Sequence, residues 1–157
     1  MKTILLHGLG QTEQDWKEVV CQLSSSNVDC PELFSSMENE ISYPQILGDL
    51  ERRYSNVKEP LRICGLSLGA LLAIDFAIRH GDKVASLVLI GTQYKVPSLL
   101  IDFQNLIFRC MPNKAFDSMG LSKSNTIKLA HSMRSLDFTA QLNNCLLYTS
   151  PSPRDTR

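Results

Sequence analysis

Residues 61–92 constrain the fold more than any other stretch, because strand, tight turn, helix and strand follow one another there without a break. Leu61-Arg62-Ile63-Cys64 is a short β-prone run that meets the turn Gly65-Leu66-Ser67-Leu68-Gly69. Ala70 to His80 is then a mostly apolar segment of helical length, stopped by Gly81. Val84-Ala85-Ser86-Leu87-Val88-Leu89-Ile90, closed by Gly91-Thr92, is a near-continuous apolar run and predicts a strand buried on both faces. Two strands joined by such a helix predict a right-handed crossover and parallel pairing, with ligands held at the carboxyl ends of the strands.

The N-terminal part repeats this alternation. Thr3-Ile4-Leu5-Leu6 predicts a strand ending in the glycine turn His7-Gly8-Leu9-Gly10. Thr12 is suited to cap a helix over 12–23, whose apolar stripe is Trp16, Val19, Val20 and Leu23. After the turn Ser24-Ser25-Ser26-Asn27, the run Val28 to Phe34 predicts a second strand, weakened by Pro31. Pro44 opens a helix through about Tyr54, with Ile46, Leu47 and Leu50 on one face. From Tyr94 onward the pattern is helical only, over 98–110 and about 122–135.

The expected class is therefore α/β, a parallel sheet with flanking helices plus a helical cap segment. Its divisions are a core part over 1–93, the cap over 94–144, and an unpatterned Pro/Ser-rich stretch over 145–157.

The 157 residues, 43% of them hydrophobic, suffice for one globular domain. Sixteen basic and sixteen acidic residues cancel without a Lys/Arg cluster, which argues against nucleic-acid or membrane partners and for a small-molecule substrate. The five cysteines show no CxxC spacing and no nearby paired histidine, so neither a disulfide framework nor a metal site is expected, and no cofactor. A reducing, cytoplasmic compartment follows. The apolar start is too short for a signal peptide, and no stretch approaches a membrane span.

Ser67 is the candidate nucleophile. A serine hydroxyl reacts only where a base takes its proton and where a substrate carbonyl can reach it, and a sharp strand-to-helix turn projects it in that way. Composition alone yields a GxSxG in about one chain in twenty of this length. Its setting between a strand and a helix is what gives it weight. A tetrahedral oxyanion needs preorganised donors, and a helix start supplies the Leu68 N–H. The second donor is assigned to the Leu9 N–H, in the loop after the first strand.

His7-Gly8-Leu9-Gly10 after an opening strand, Trp16 beyond it, Gly65 to Ala70, and Val88-Leu89-Ile90-Gly91-Thr92 together resemble the core of the α/β-hydrolase superfamily. The resemblance covers residues 1–92 and implies hydrolysis of an ester or related acyl bond through an acyl-enzyme, with an acyltransferase or thioesterase as alternatives. A binding module without turnover is the non-enzymatic alternative. In that family the acid and the histidine of the triad follow the cap, and no matching residues stand here, so both are expected to be missing from this chain. Residues Cys145 to Asp155 resemble the translation of a transposon adapter used in sequencing libraries, which places the expected end of the natural sequence near Asn144.

Other residues invite competing readings. His7 can be a base, but the resemblance makes it a turn-shaping residue. His80 ends the helix roughly 18 Å from Ser67 and is expected to be a solvent-facing cation near the helix dipole. His131 is the remaining substitute base, expected at the surface beside Lys128 and Arg134. Cys64 is expected to pack in the core, and Asp75 to be exposed or capping. The cap residues Leu99, Leu100, Phe103, Leu106, Ile107 and Phe108 are expected to pack as core, with an acyl pocket as the alternative.

Overall fold

The computed structural model describes residues 1–23, 27–35, 41–91, 93–119 and 121–142. The 145–157 stretch with its adapter-like segment, and Ser24 to Ser26 of the expected turn, lie outside the described residues.

Four parallel strands form one sheet in the order β2-β1-β3-β4, with β1 at Lys2–Leu6, β2 at Val28–Asp29, β3 at Leu61–Leu66 and β4 at Val84–Ile90. α1 is Lys17–Gln22, α2 is Tyr43–Tyr54 and α3 is Leu68–Arg79. α3 packs on β1, β3 and β4, and α2 packs on α3. The core lies between them, built from Ile4, Leu6, Ile63, Leu72, Phe76 and the α2 residues Ile46, Leu47 and Leu50. Beyond the sheet come α4 at Ser98–Cys110, α5 at Lys123–Ser132 and the short α6 at Thr139–Leu142. An antiparallel bridge, Lys95 to Asp137, ties the two ends of this helical part together.

Four expectations are corrected. The 12–23 helix begins as a 3₁₀ turn, Glu13–Trp16, before α1, and this change of winding splits its stripe. Trp16 is buried while Val19 and Leu23 are exposed. The second strand ends at Asp29 rather than Phe34, because Pro31 has no N–H to donate to a ladder. β4 is not buried on both faces. It forms the outer edge of the described sheet, paired only to β3, and Val88 is 54% exposed. In α4, the residues Leu99, Leu100, Phe103, Leu106 and Ile107 face outward, Leu99 being 81% exposed. α4 is apolar on two sides, and α5 covers the one that carries Ile101 and Asn105.

Candidate active site

Alternation along β3 buries Leu61, Ile63 and Gly65 and leaves Arg62, Cys64 and Leu66 on the less covered face. The next residue, Ser67, leaves the strand with φ 53° and ψ −111°, the one non-glycine residue with positive φ among those described. Such a conformation costs on the order of 1–3 kcal/mol and persists only where the surroundings dictate it. Here the Ser67 N–H donates to the Ile90 carbonyl at 2.9 Å, and the Ser67 carbonyl accepts from Ala70 N–H and Leu71 N–H at 3.0 and 3.1 Å. One side of the peptide is thus tied to β4 and the other to the first turn of α3.

The flanking glycines permit this. A Cβ on Gly65 would collide with the backbone of Gly69 and stand 2.6 Å from the Ala70 Cα. One on Gly69 would stand 2.7 Å from the His7 carbonyl oxygen and clash with Leu6. The second contact places the start of α3 directly against the end of β1. The turn after β1 and the turn after β3 therefore meet, as the carboxyl-end rule requires.

Ser67 is exposed, while Leu68, Gly69 and Ala70 behind it are buried. Among the described residues neither the Leu68 N–H nor the Leu9 N–H has a hydrogen-bond acceptor. Both donors belong to the two turns that meet, and Leu68 opens a twelve-residue helix whose dipole favours negative charge at that end.

His7 is fully buried. The Leu33 N–H can only donate, so at 3.2 Å it requires an unprotonated His7 Nε2, and the ring proton sits on Nδ1, which donates to the Gly8 carbonyl at 3.0 Å. Phe34 packs edge-on against the ring at 5.2 Å. Both nitrogens are thus engaged in shaping the turn. Nearby, burial foremost pushes the Glu32 carboxyl up, while its pairing with Glu32 holds the Glu13 carboxyl down.

No described histidine is bonded to Ser67. His80 is not a free terminal cation: its Nε2 lies 3.0 Å from Glu51 Oε1, and its ring rests on Phe76 at 4.8 Å. His131 is exposed on α5. Asp75, expected to be exposed or capping, is buried, and Arg79 Nε reaches back one helical turn to its carboxylate at 2.8 Å. Beside it, burial foremost and then the Asp75 charge push the Tyr43 phenol up, and its hydroxyl donates to the Leu71 carbonyl at 3.0 Å. Cys64 is half-buried rather than in the core, and burial pushes its thiol up, away from a reactive thiolate.

Sequence reasoning missed Gln11, whose side-chain Oε1 accepts the Gly8 N–H at 2.9 Å. A lone amide after a glycine turn gives no signal in sequence. Asp15 was legible: it completes a capping box by accepting the Thr12 N–H at 2.7 Å, at the spacing from Thr12 that such boxes use.

A parallel sheet flanked by helices, with a strained serine turn at its carboxyl edge, is the α/β-hydrolase arrangement. The chain belongs to the hydrolase family described as serine aminopeptidase, S33, whose model matches residues 43–152. That match enters the 145–155 stretch. A curated relative, the pimeloyl-[acyl-carrier protein] methyl ester esterase of Aromatoleum aromaticum, is 36% identical over 90 residues, 57% of this chain and 36% of the relative. The chain thus matches about a third of that relative's length. Among solved structures, the enol-lactonase from Burkholderia xenovorans LB400 aligns with TM-score 0.73 and 16% identity over 89% of this chain and 67% of that one. A hydrolase from Pseudomonas aeruginosa PA01 aligns with TM-score 0.68 and 14% identity, over 91% and 68%. These likenesses establish the fold. Among the described residues no helix is long and apolar enough to cross a membrane, and no acidic, histidine and cysteine side chains gather into a metal site.

Proposed function

We propose that this chain carries the nucleophile and the oxyanion hole of a serine hydrolase acting on an ester or related acyl bond of a small molecule. The observation that carries the reading is the backbone of Ser67, a non-glycine residue held at φ 53° and exposed where the turns carrying Leu9 and Leu68 meet. In the reaction, Ser67 Oγ bonds to the substrate carbonyl carbon and a base accepts its proton. The carbonyl oxygen takes the charge and is held by Leu9 N–H and Leu68 N–H. The acyl–oxygen bond of the substrate then breaks, the base returns the proton to the leaving alcohol, and water hydrolyses the acyl-enzyme.

The family's description names a serine, and the relatives cited are named for a methyl ester and an enol-lactone. The ester in the curated relative's name supports an ester-type substrate. The base and the acid are assigned to natural sequence beyond this chain. A form extended by that sequence should hydrolyse a chromogenic short-chain ester, and Ser67→Ala should lower kcat by at least about a thousandfold. Retained activity would place the nucleophile elsewhere.

A second reading, a chain that keeps the fold without turnover, is favoured by the lack of any described histidine or carboxylate bonded to Ser67. Fluorophosphonate labelling separates the two. Weak labelling of this chain beside strong labelling of the extended form assigns the missing base to the added sequence.

A further inference from the structure

We propose that Gln11 is a positioning residue that aims the Leu9 N–H at the oxyanion, an assignment that rests on the Ser67 reading above. The peptide between Gly8 and Leu9 is planar and trans, so its C=O and N–H point in opposite directions. Whatever holds the Gly8 carbonyl therefore aims the Leu9 N–H. That carbonyl accepts from His7 Nδ1–H at 3.0 Å and from the Gln11 N–H at 3.3 Å. The preceding peptide is gripped as well, because the Gly8 N–H donates to Gln11 Oε1 at 2.9 Å. Gln11 thus holds both peptides that flank Gly8, one through its backbone and one through its carboxamide.

Glycine would otherwise be the loosest link in this turn. A Cβ at residue 8 would stand 2.9 Å from Gln11 Oε1 and 3.1 Å from Leu66 Cδ2. The carboxamide approaches so closely only because that side chain is missing, and it supplies the restraint the missing Cβ does not. Leu66 immediately precedes Ser67, so the clamped turn is seated against the serine turn itself.

The test uses the intact chain with Gln11→Ala and with Gln11→Glu, whose carboxylate can accept the same bond. Residue-resolved hydrogen–deuterium exchange at Gly8 should quicken about tenfold in Gln11→Ala, the scale of one neutral hydrogen bond. In the extended form, labelling of Ser67 by a fluorophosphonate should slow by about the same factor in Gln11→Ala, and Gln11→Glu should recover most of both losses. Unchanged exchange at Gly8 overturns the clamp whatever Ser67 does. Quickened exchange with equal labelling rates overturns its role at the oxyanion. If Ser67→Ala in the extended form labels like its parent while Gly8 exchange still depends on Gln11, the serine reading falls and the clamp stands.

Discussion

At the scale of single residues, Ser67 stores strain that a simple substitution should release. Alanine keeps a Cβ at φ 53° and glycine does not. Ser67→Gly is therefore expected to be more stable than Ser67→Ala by about 1 kcal/mol, read from denaturant midpoints. Equal midpoints would mean the turn is relaxed. The neighbouring glycines behave in the opposite sense. Gly69→Ala pushes a methyl into the Leu6 and His7 backbone, which cannot rotate away, and should cost about 3 kcal/mol. The serine and its glycines were legible in sequence because GxSxG demands that backbone. Asp75 was not, because whether a mid-helix carboxylate is buried depends on whether Arg79 folds back onto it.

At the scale of elements, α2, α3, β1 and β3 lie close to where periodicity and caps predict them. β4 and α4 show the limit of that reasoning. An apolar run reports what a segment would bury, not whether a partner is there to bury it against. Within α4, Asn105 is buried and its Oδ1 has no hydrogen-bond partner among the described residues. Asn105→Leu should raise stability by about 1 kcal/mol, and a lower midpoint would show that the oxygen is satisfied in solution. The antiparallel bridge between the start of the helical part and the segment before α6 is reinforced by an ion pair. Bonds from the Thr139 hydroxyl and Thr139 N–H, and then from Lys95, lower the Asp137 carboxyl to about 2. A depressed carboxylate contributes fully above its ordinary value of 3.8 and loses its contribution as pH falls through about 2. Protection of the Thr139 amide, taken as its exchange relative to the intrinsic rate at each pH, should hold above 3.8 and fall across that acid window, and Asp137→Asn should flatten the change.

At the scale of the whole molecule, the open edge of β4 and the outward stripe of α4 leave Val88, Leu99 and Phe103 in water. A parallel edge with apolar side chains is a template for pairing with other chains. The isolated chain is expected to self-associate, and Val88→Lys with Leu99→Glu should shift sedimentation profiles toward monomer. A sharply melting monomer of the unmodified chain would contradict this.

The bond from Ser67 N–H to the Ile90 carbonyl spans 23 residues of sequence. It also carries a consequence in time. While the chain is being made, residues 61–79 can leave the ribosome with their strand and helix in place, yet the serine turn lacks one of its anchors until residue 90 has emerged. Ser67 would then pass through the early part of synthesis as an ordinary, unstrained serine, and would take its strained backbone only when β4, the outer strand of the described sheet, closes behind it.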